Sequence, residues 1–147
     1  MVDVKIEELL NSTGCLCTEI KGTSMNPLLY EGVNKVYVER PSTRLKKGDV
    51  ALYKRDNGEY ILHRVMKVLN ESYVFCGDNH FTLEYGVTDA HILGVMKGYY
   101  KKLKYVDVNK SLKYKLYKLF WCNSLSFRKF LNYFRTAFKK VFKHKWG

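Results

Sequence analysis

The sequence predicts a mainly β protein, a coiled antiparallel β domain with a short N-terminal helix and C-terminal amphipathic helices. Three observations carry that expectation. Segments 15–21, 34–39, 49–55, 59–69, 72–76 and 91–107 are rich in Val, Ile, Tyr and Leu, with turn residues between them. Several short strands with few helices between them favour an antiparallel sheet or partial barrel. Asn57-Gly58 falls between two of these segments, and Asn-Gly between strand-like runs is a strong hairpin signal. After about residue 108 the apolar residues recur every three to four positions, which is the spacing of one helix face.

The elements follow in order. Residues 3–12 place Ile6, Leu9 and Leu10 at helical spacing, and Gly14 can close that helix. Lys47-Gly48-Asp49 and Lys97-Gly98 read as turns between strands. Helices are expected over about 109–121 and 125–145, with Asn123-Ser124 interrupting the pattern and capping the second. Leu112, Leu116, Leu119 and Phe120 mark the apolar side of the first; Phe127, Phe130, Leu131, Phe134, Phe138, Val141 and Phe142 mark that of the second. The expected organisation is therefore a β domain over 1–108 and a basic helical tail over 109–147.

At 147 residues the chain suffices for one domain with a modest core. Its net charge of +12 is unevenly placed. Residues 1–100 hold 12 Lys and Arg against 13 Asp and Glu, whereas residues 101–147 hold 14 against the single acid Asp107. The β region thus offers no basic surface to extend a nucleic-acid groove, and nucleic acid is not an expected partner. The tail either packs its apolar side on the β domain or makes a peripheral membrane contact, rings in the headgroup region and lysines on anionic lipid. Trp121 and Trp146 are the expected interfacial anchors. No stretch approaches the ~20 apolar residues of a spanning helix, and Asp3, Glu7 and Glu8 break any secretory leader. A cytoplasmic location is expected, with the tail reaching the inner face of the membrane. Cys15, Cys17, Cys76 and Cys122 do not form a disulfide framework and read as small hydrophobes; neither a metal nor another cofactor is expected.

Three segments carry chemistry. Gly22-Thr23-Ser24-Met25-Asn26-Pro27 holds a serine in a tight turn stiffened by proline. Such a turn presents a hydroxyl beside unpaired N–H groups, as acyl transfer requires of a nucleophile and its oxyanion hole. A serine in a Gly/Pro turn is more often structural, and the same holds for His63 beside Arg64 and for the turn-like Gly77-Asp78-Asn79. Their occurrence together and in this order gives them weight.

In order, Ser24-Met25-x-Pro27, Lys47-Gly48-Asp49-Val50, His63-Arg64-Val65 and Gly77-Asp78-Asn79 resemble the box series of the S24/S26 peptidases, the superfamily of type I signal peptidases and LexA-like repressors. The resemblance spans residues 20 to about 98. It implies that superfamily's coiled β fold and a serine endopeptidase that removes a leader or signal segment from a peptide or protein substrate. Histidine in the third box resembles the endoplasmic-reticulum and archaeal type, in place of the lysine of typical bacterial signal peptidases. By that resemblance Ser24 is the nucleophile, His63 the general base and Asp78 the group that orients His63 or stabilises its charged form, with Thr23, Ser24, Met25 and Pro27 forming the nucleophile and oxyanion turn. A histidine suits the role, since its ordinary pKa of about 6.5 keeps it largely neutral near pH 7. Asp49 is expected in a structural turn and Arg64 in a structural ion pair. Gly22 stands where signal peptidases often carry a serine, and no N-terminal membrane anchor is evident. Too few residues precede Ser24 for the DNA-binding module of the repressor branch. Two other readings are a catalytically idle module that binds peptides by strand addition, and a protein that cleaves itself within residues 10–21.

Overall fold

Burial alternates along Asn34–Glu39 but runs unbroken along Tyr73–Cys76 in the computed structural model, which describes residues 2–144. Helix α1 (Val2–Thr13) leads into β1 (Cys15–Glu19), β2 (Asn34–Glu39), β3 (Val50–Lys54), β4 (Tyr60–Val68) and β5 (Tyr73–Cys76). Then come β6 (Glu84–Val87), β7 (Ile92–Lys101) and β8 (Lys104–Asp107), and the helices α2 (Leu112–Asn123) and α3 (Leu125–His144). The protein is mainly β, as expected. The strands form one antiparallel sheet in the order β1-β2-β7-β3-β4-β5-β6, with β8 pairing with β7. Strand β7 is its spine: residues from Ile92 to Val95 pair with β3, and those from Val95 to Lys101 with β2. Register shifts at Tyr37/Val38, Leu52/Tyr53, Val65/Lys67 and Tyr73/Phe75 mark bulges, which bend a strand and increase its local twist.

Two apolar clusters result. One joins Leu10 of α1 to Leu29, Val36, Val38, Val50 and Met96, and takes in Tyr114 of α2. The other contains Ala51, Tyr53, Val65, Tyr73 and Phe75. Successive residues of a strand point to opposite faces, so β4 divides its own sequence between them. Val65 joins the second cluster, Leu62 packs on the first, and the neighbours His63 and Arg64 are sent to opposite sides of the sheet.

Some elements differ from expectation. Strand β6 was not anticipated, because Glu84-Tyr85-Gly86-Val87 is short and glycine-broken. The run 91–107 is a hairpin, turned at Lys102 with a φ of 57°. Cys17 is exposed and is no core hydrophobe. Strands give way to helices near residue 108, but the tail does not stand apart: Tyr114, Cys122 and Arg128 are buried. Trp146 lies outside the described residues. Among the described residues no helix is long and apolar enough to cross a membrane.

Leu29 closes the turn that carries Ser24 and is fully buried in the first cluster. Leu29→Ala is expected to cost about 2–5 kcal/mol of stability, seen as a lower urea midpoint at unchanged m value. A much smaller loss would mean that the turn collapses into the space left behind.

Candidate active site

Arg64 and Asp78 are both almost wholly buried, at 0% and 2% exposure, and each answers the other's charge. Arg64 Nε donates to Asp78 Oδ1 at 2.8 Å and its NH2 to Oδ2 at 2.7 Å, a two-pronged pair. The remaining guanidinium nitrogen, NH1, donates to the Gly48 carbonyl at 2.9 Å and to the Tyr114 hydroxyl at 3.2 Å. The Tyr117 hydroxyl adds a bond to Asp78 Oδ2, and Trp121 Nε1 donates to the Asp78 carbonyl. Arg64 is held charged, well above its ordinary pKa: burial opposes this, but the adjacent Asp78 charge and its hydrogen bonds outweigh it.

This pair anchors the loop that touches the Ser24 turn. Asn79 N–H donates to the Ser24 carbonyl at 2.8 Å. Gly77 lies so close that a Cβ there would sit 2.7 Å from the Ser24 carbonyl oxygen and 3.0 Å from His63 Nε2. Only glycine permits this approach, so the backbone of Ser24 and the ring of His63 converge on one point. The turn is pinned on both sides, since Met25 and Leu29 are buried in the first cluster and Leu29 N–H bonds the Met25 carbonyl. Gly22 opens the turn at a φ of 79°, and its N–H is taken by Glu31. The N–H groups of Ser24 and Met25, and the Ser24 hydroxyl, make no hydrogen bond among the described residues. Ser24 and His63 share a cleft of about 240 Å³ whose apolar lining includes Ile20, Met25, Val36, Leu52 and Leu62.

His63 is 7% exposed. The Tyr53 hydroxyl lies 3.5 Å from its Nδ1, and Glu84 Oε2 lies 4.0 Å away. Tyr53 gives its only proton to Glu84 Oε2 at 2.6 Å, so toward His63 it can only accept. That contact therefore requires a proton on Nδ1 and leaves the Nε2 lone pair facing Gly77 and the Ser24 turn. Arg55 completes the group, with Nε 2.7 Å from Glu84 Oε1 and NH2 2.8 Å from Oε2. Those bonds keep the Glu84 carboxyl below its ordinary pKa against the opposing effect of burial. Burial pushes the His63 pKa down from 6.5 to about 4; nearby His80 adds to this, and the Glu84 charge opposes it.

One expected role is met only in part. Asp78 makes no hydrogen bond to His63, its carboxylate oxygens being taken by Arg64 and Tyr117, although its charge favours the protonated ring. The groups beside Nδ1 are Tyr53 and Glu84, which lie on the His63 side of the sheet. Arg64 makes the expected ion pair. Asp49 accepts from Lys46 N–H, and its carbonyl bonds Val65 N–H, as in a structural turn. Thr23 is exposed, while Pro27, on the far side of the turn, borders a second cleft with Trp121 and Arg128. Sequence reasoning missed Tyr53, Glu84 and Arg128. The last is 2% exposed and donates to the Gly77 carbonyl at 3.2 Å and the Trp121 carbonyl at 2.8 Å. No cluster of three or more His, Cys, Asp or Glu is placed to hold a metal among the described residues. No protein-family model, curated protein or solved structure matches the chain.

Removing one member of a buried charge pair strands the other. Asp78→Ala is expected to destabilise the protein by about 3–5 kcal/mol, measured by urea denaturation. A near-neutral effect would show that Arg64 finds water in place of its partner.

Proposed function

We propose that the protein is a serine endopeptidase of the signal-peptidase superfamily, histidine type, removing a leader or signal segment from a peptide or protein substrate. The observation that carries this reading is the convergence of the Ser24 turn and the His63 Nε2 lone pair around Gly77 in one apolar cleft. The four-box order of the sequence supports it independently.

On this reading the substrate places apolar side chains against Ile20, Met25 and Leu52, and its scissile carbonyl above Ser24. Ser24 Oγ attacks the carbonyl carbon while its proton passes to His63 Nε2. This needs the Ser24 side chain to turn toward the imidazole as substrate enters. The developing oxyanion accepts from the free N–H groups of Ser24 and Met25. His63 becomes an imidazolium whose Nδ1–H faces Tyr53 and the negative Glu84, which replace the aspartate of a Ser-His-Asp arrangement. The C–N bond then breaks and the leaving amine takes the proton from Nε2. Water next attacks the acyl-enzyme, giving one proton to His63, and Ser24 Oγ recovers it as the ester breaks. The absence of a Ser24–His63 hydrogen bond also suits the idle peptide-binding module, and labelling separates the two readings.

A fluorophosphonate probe is expected to label the wild-type chain at Ser24 and to leave Ser24→Ala and His63→Ala unlabelled. Failure to label the wild type, beside an active serine peptidase that labels normally, would favour the idle module. The pH profile tests the orienting groups. The base must be neutral, so kcat/KM for a cleaved peptide should be full above the His63 pKa and fall as pH drops through about 4. Glu84 raises that pKa by its charge, so Glu84→Gln should move the acid limb to still lower pH and lower the plateau by about tenfold or more. An unmoved limb would remove Glu84 from the mechanism.

A further inference from the structure

The helices present an apolar surface that the β domain leaves uncovered. Tyr114, Tyr117 and Trp121 turn one side of α2 toward Arg64 and Asp78. Leu112, Leu116 and Phe120, spaced four residues apart, therefore lie on its other side; Leu112 is 70% exposed and Phe120 57%. Helix α3 repeats the division. Arg128 points inward to the Gly77 carbonyl, while Phe127, Phe130, Phe134 and Phe138 form an exposed stripe, Phe138 at 62%. The Phe120 and Phe127 rings lie 6.0 Å apart and join the two stripes across the helix junction. Phe130 and Phe134, at 4.8 Å, continue the surface along α3. A contiguous apolar face of this kind is rare on an isolated soluble domain and marks an interaction surface.

Its charge identifies the occupant. Lys113 and Lys115 on α2, and Lys129, Arg135 and Lys139 on α3, are exposed, and none is in an ion pair among the described residues. No acidic residue follows Asp107 in the sequence, so the tail contains nothing to neutralise them. Aromatic rings on one face of helices whose other positions are rich in unpaired cations fit a layer that is apolar within and anionic at its surface. A second copy of the same face would set these cations against each other and fits poorly.

We propose that the outer face of α2 and α3 docks on an anionic phospholipid bilayer, the phenylalanines entering the headgroup boundary and the lysines meeting lipid phosphates. The helices lie in the membrane plane and do not cross it. This docking does not involve Ser24 and stands whether or not the chain cleaves peptides.

The test is co-sedimentation of the full chain with phosphatidylcholine vesicles, with and without phosphatidylglycerol, at low and high salt. Binding is expected only with phosphatidylglycerol, and should weaken as salt rises. Phe130→Asp/Phe134→Asp and Lys129→Glu/Lys139→Glu change exposed positions, so both variants should keep the wild-type melting temperature. Each should bind about tenfold or more weakly. No sedimentation with phosphatidylglycerol vesicles at low salt would overturn the proposal. So would binding that the paired aspartates leave unchanged, since the rings would then not enter the lipid. A concentration-dependent dimer in analytical ultracentrifugation, abolished by the aspartates and accompanied by no vesicle binding, would assign the face to a second copy instead.

Discussion

The buried pair of Arg64 and Asp78 is the constraint on which the rest of the site depends. Four segments far apart in the chain meet there. Arg64 belongs to the strand that also carries His63, Gly48 supplies a carbonyl from the turn before β3, and Asp78 belongs to the loop that binds the Ser24 carbonyl. Tyr114, Tyr117 and Trp121 close the group from the helical side. A guanidinium can do this because it has five donors in a planar fork, two for a carboxylate and others for carbonyls and hydroxyls. A lysine would offer one compact charge and could not hold all these directions at once.

Such a pair is a weak source of net stability, because desolvating both charges offsets much of their attraction. Its effect here is geometric. With both ions satisfied, the Gly77–Asn79 loop is held where Gly77 lies against the Ser24 carbonyl and His63 Nε2. The neighbouring Tyr53, Glu84 and Arg55 form a second polar group on the opposite face of β4. A single strand thus presents a locked charge to one side and a titratable ring to the other.

Much of this was legible in the sequence where the signal is local. The Asn57-Gly58 hairpin, the change of period near residue 108 and the short first helix need only neighbouring residues, and they appear close to where they were expected. The Ser24 turn, the ion pair of Arg64 and the loop at Gly77 were also readable, since each lies in a distinctive tetrapeptide or tripeptide. What failed depends on the pairing of distant strands. Glu84 faces Tyr53 and His63 because β6 pairs with β5 in a register that sets Phe75 opposite Glu84, and no spacing along the chain reveals that. The same limit hid the hydrogen-bond partners of Asp78, which are decided by which side of β4 it meets. Arg128 is one cation in a tail full of them, and nothing nearby distinguishes the one that turns inward.

Arg128 has a consequence for biosynthesis. Ribosomes deliver a chain from its N-terminus, so the strands bearing Ser24, His63 and Asp78 emerge before the helices that cover the Asp78 loop. Until residues 114–128 have been made, Arg64 lacks Tyr114, Asp78 lacks Tyr117, and the Gly77 carbonyl lacks its cation. The loop that bonds the Ser24 carbonyl beside His63 is therefore finished last. A nascent chain passes through a period in which its β sheet can form while its site is still open, and the helices that end this period also carry the exposed aromatic face.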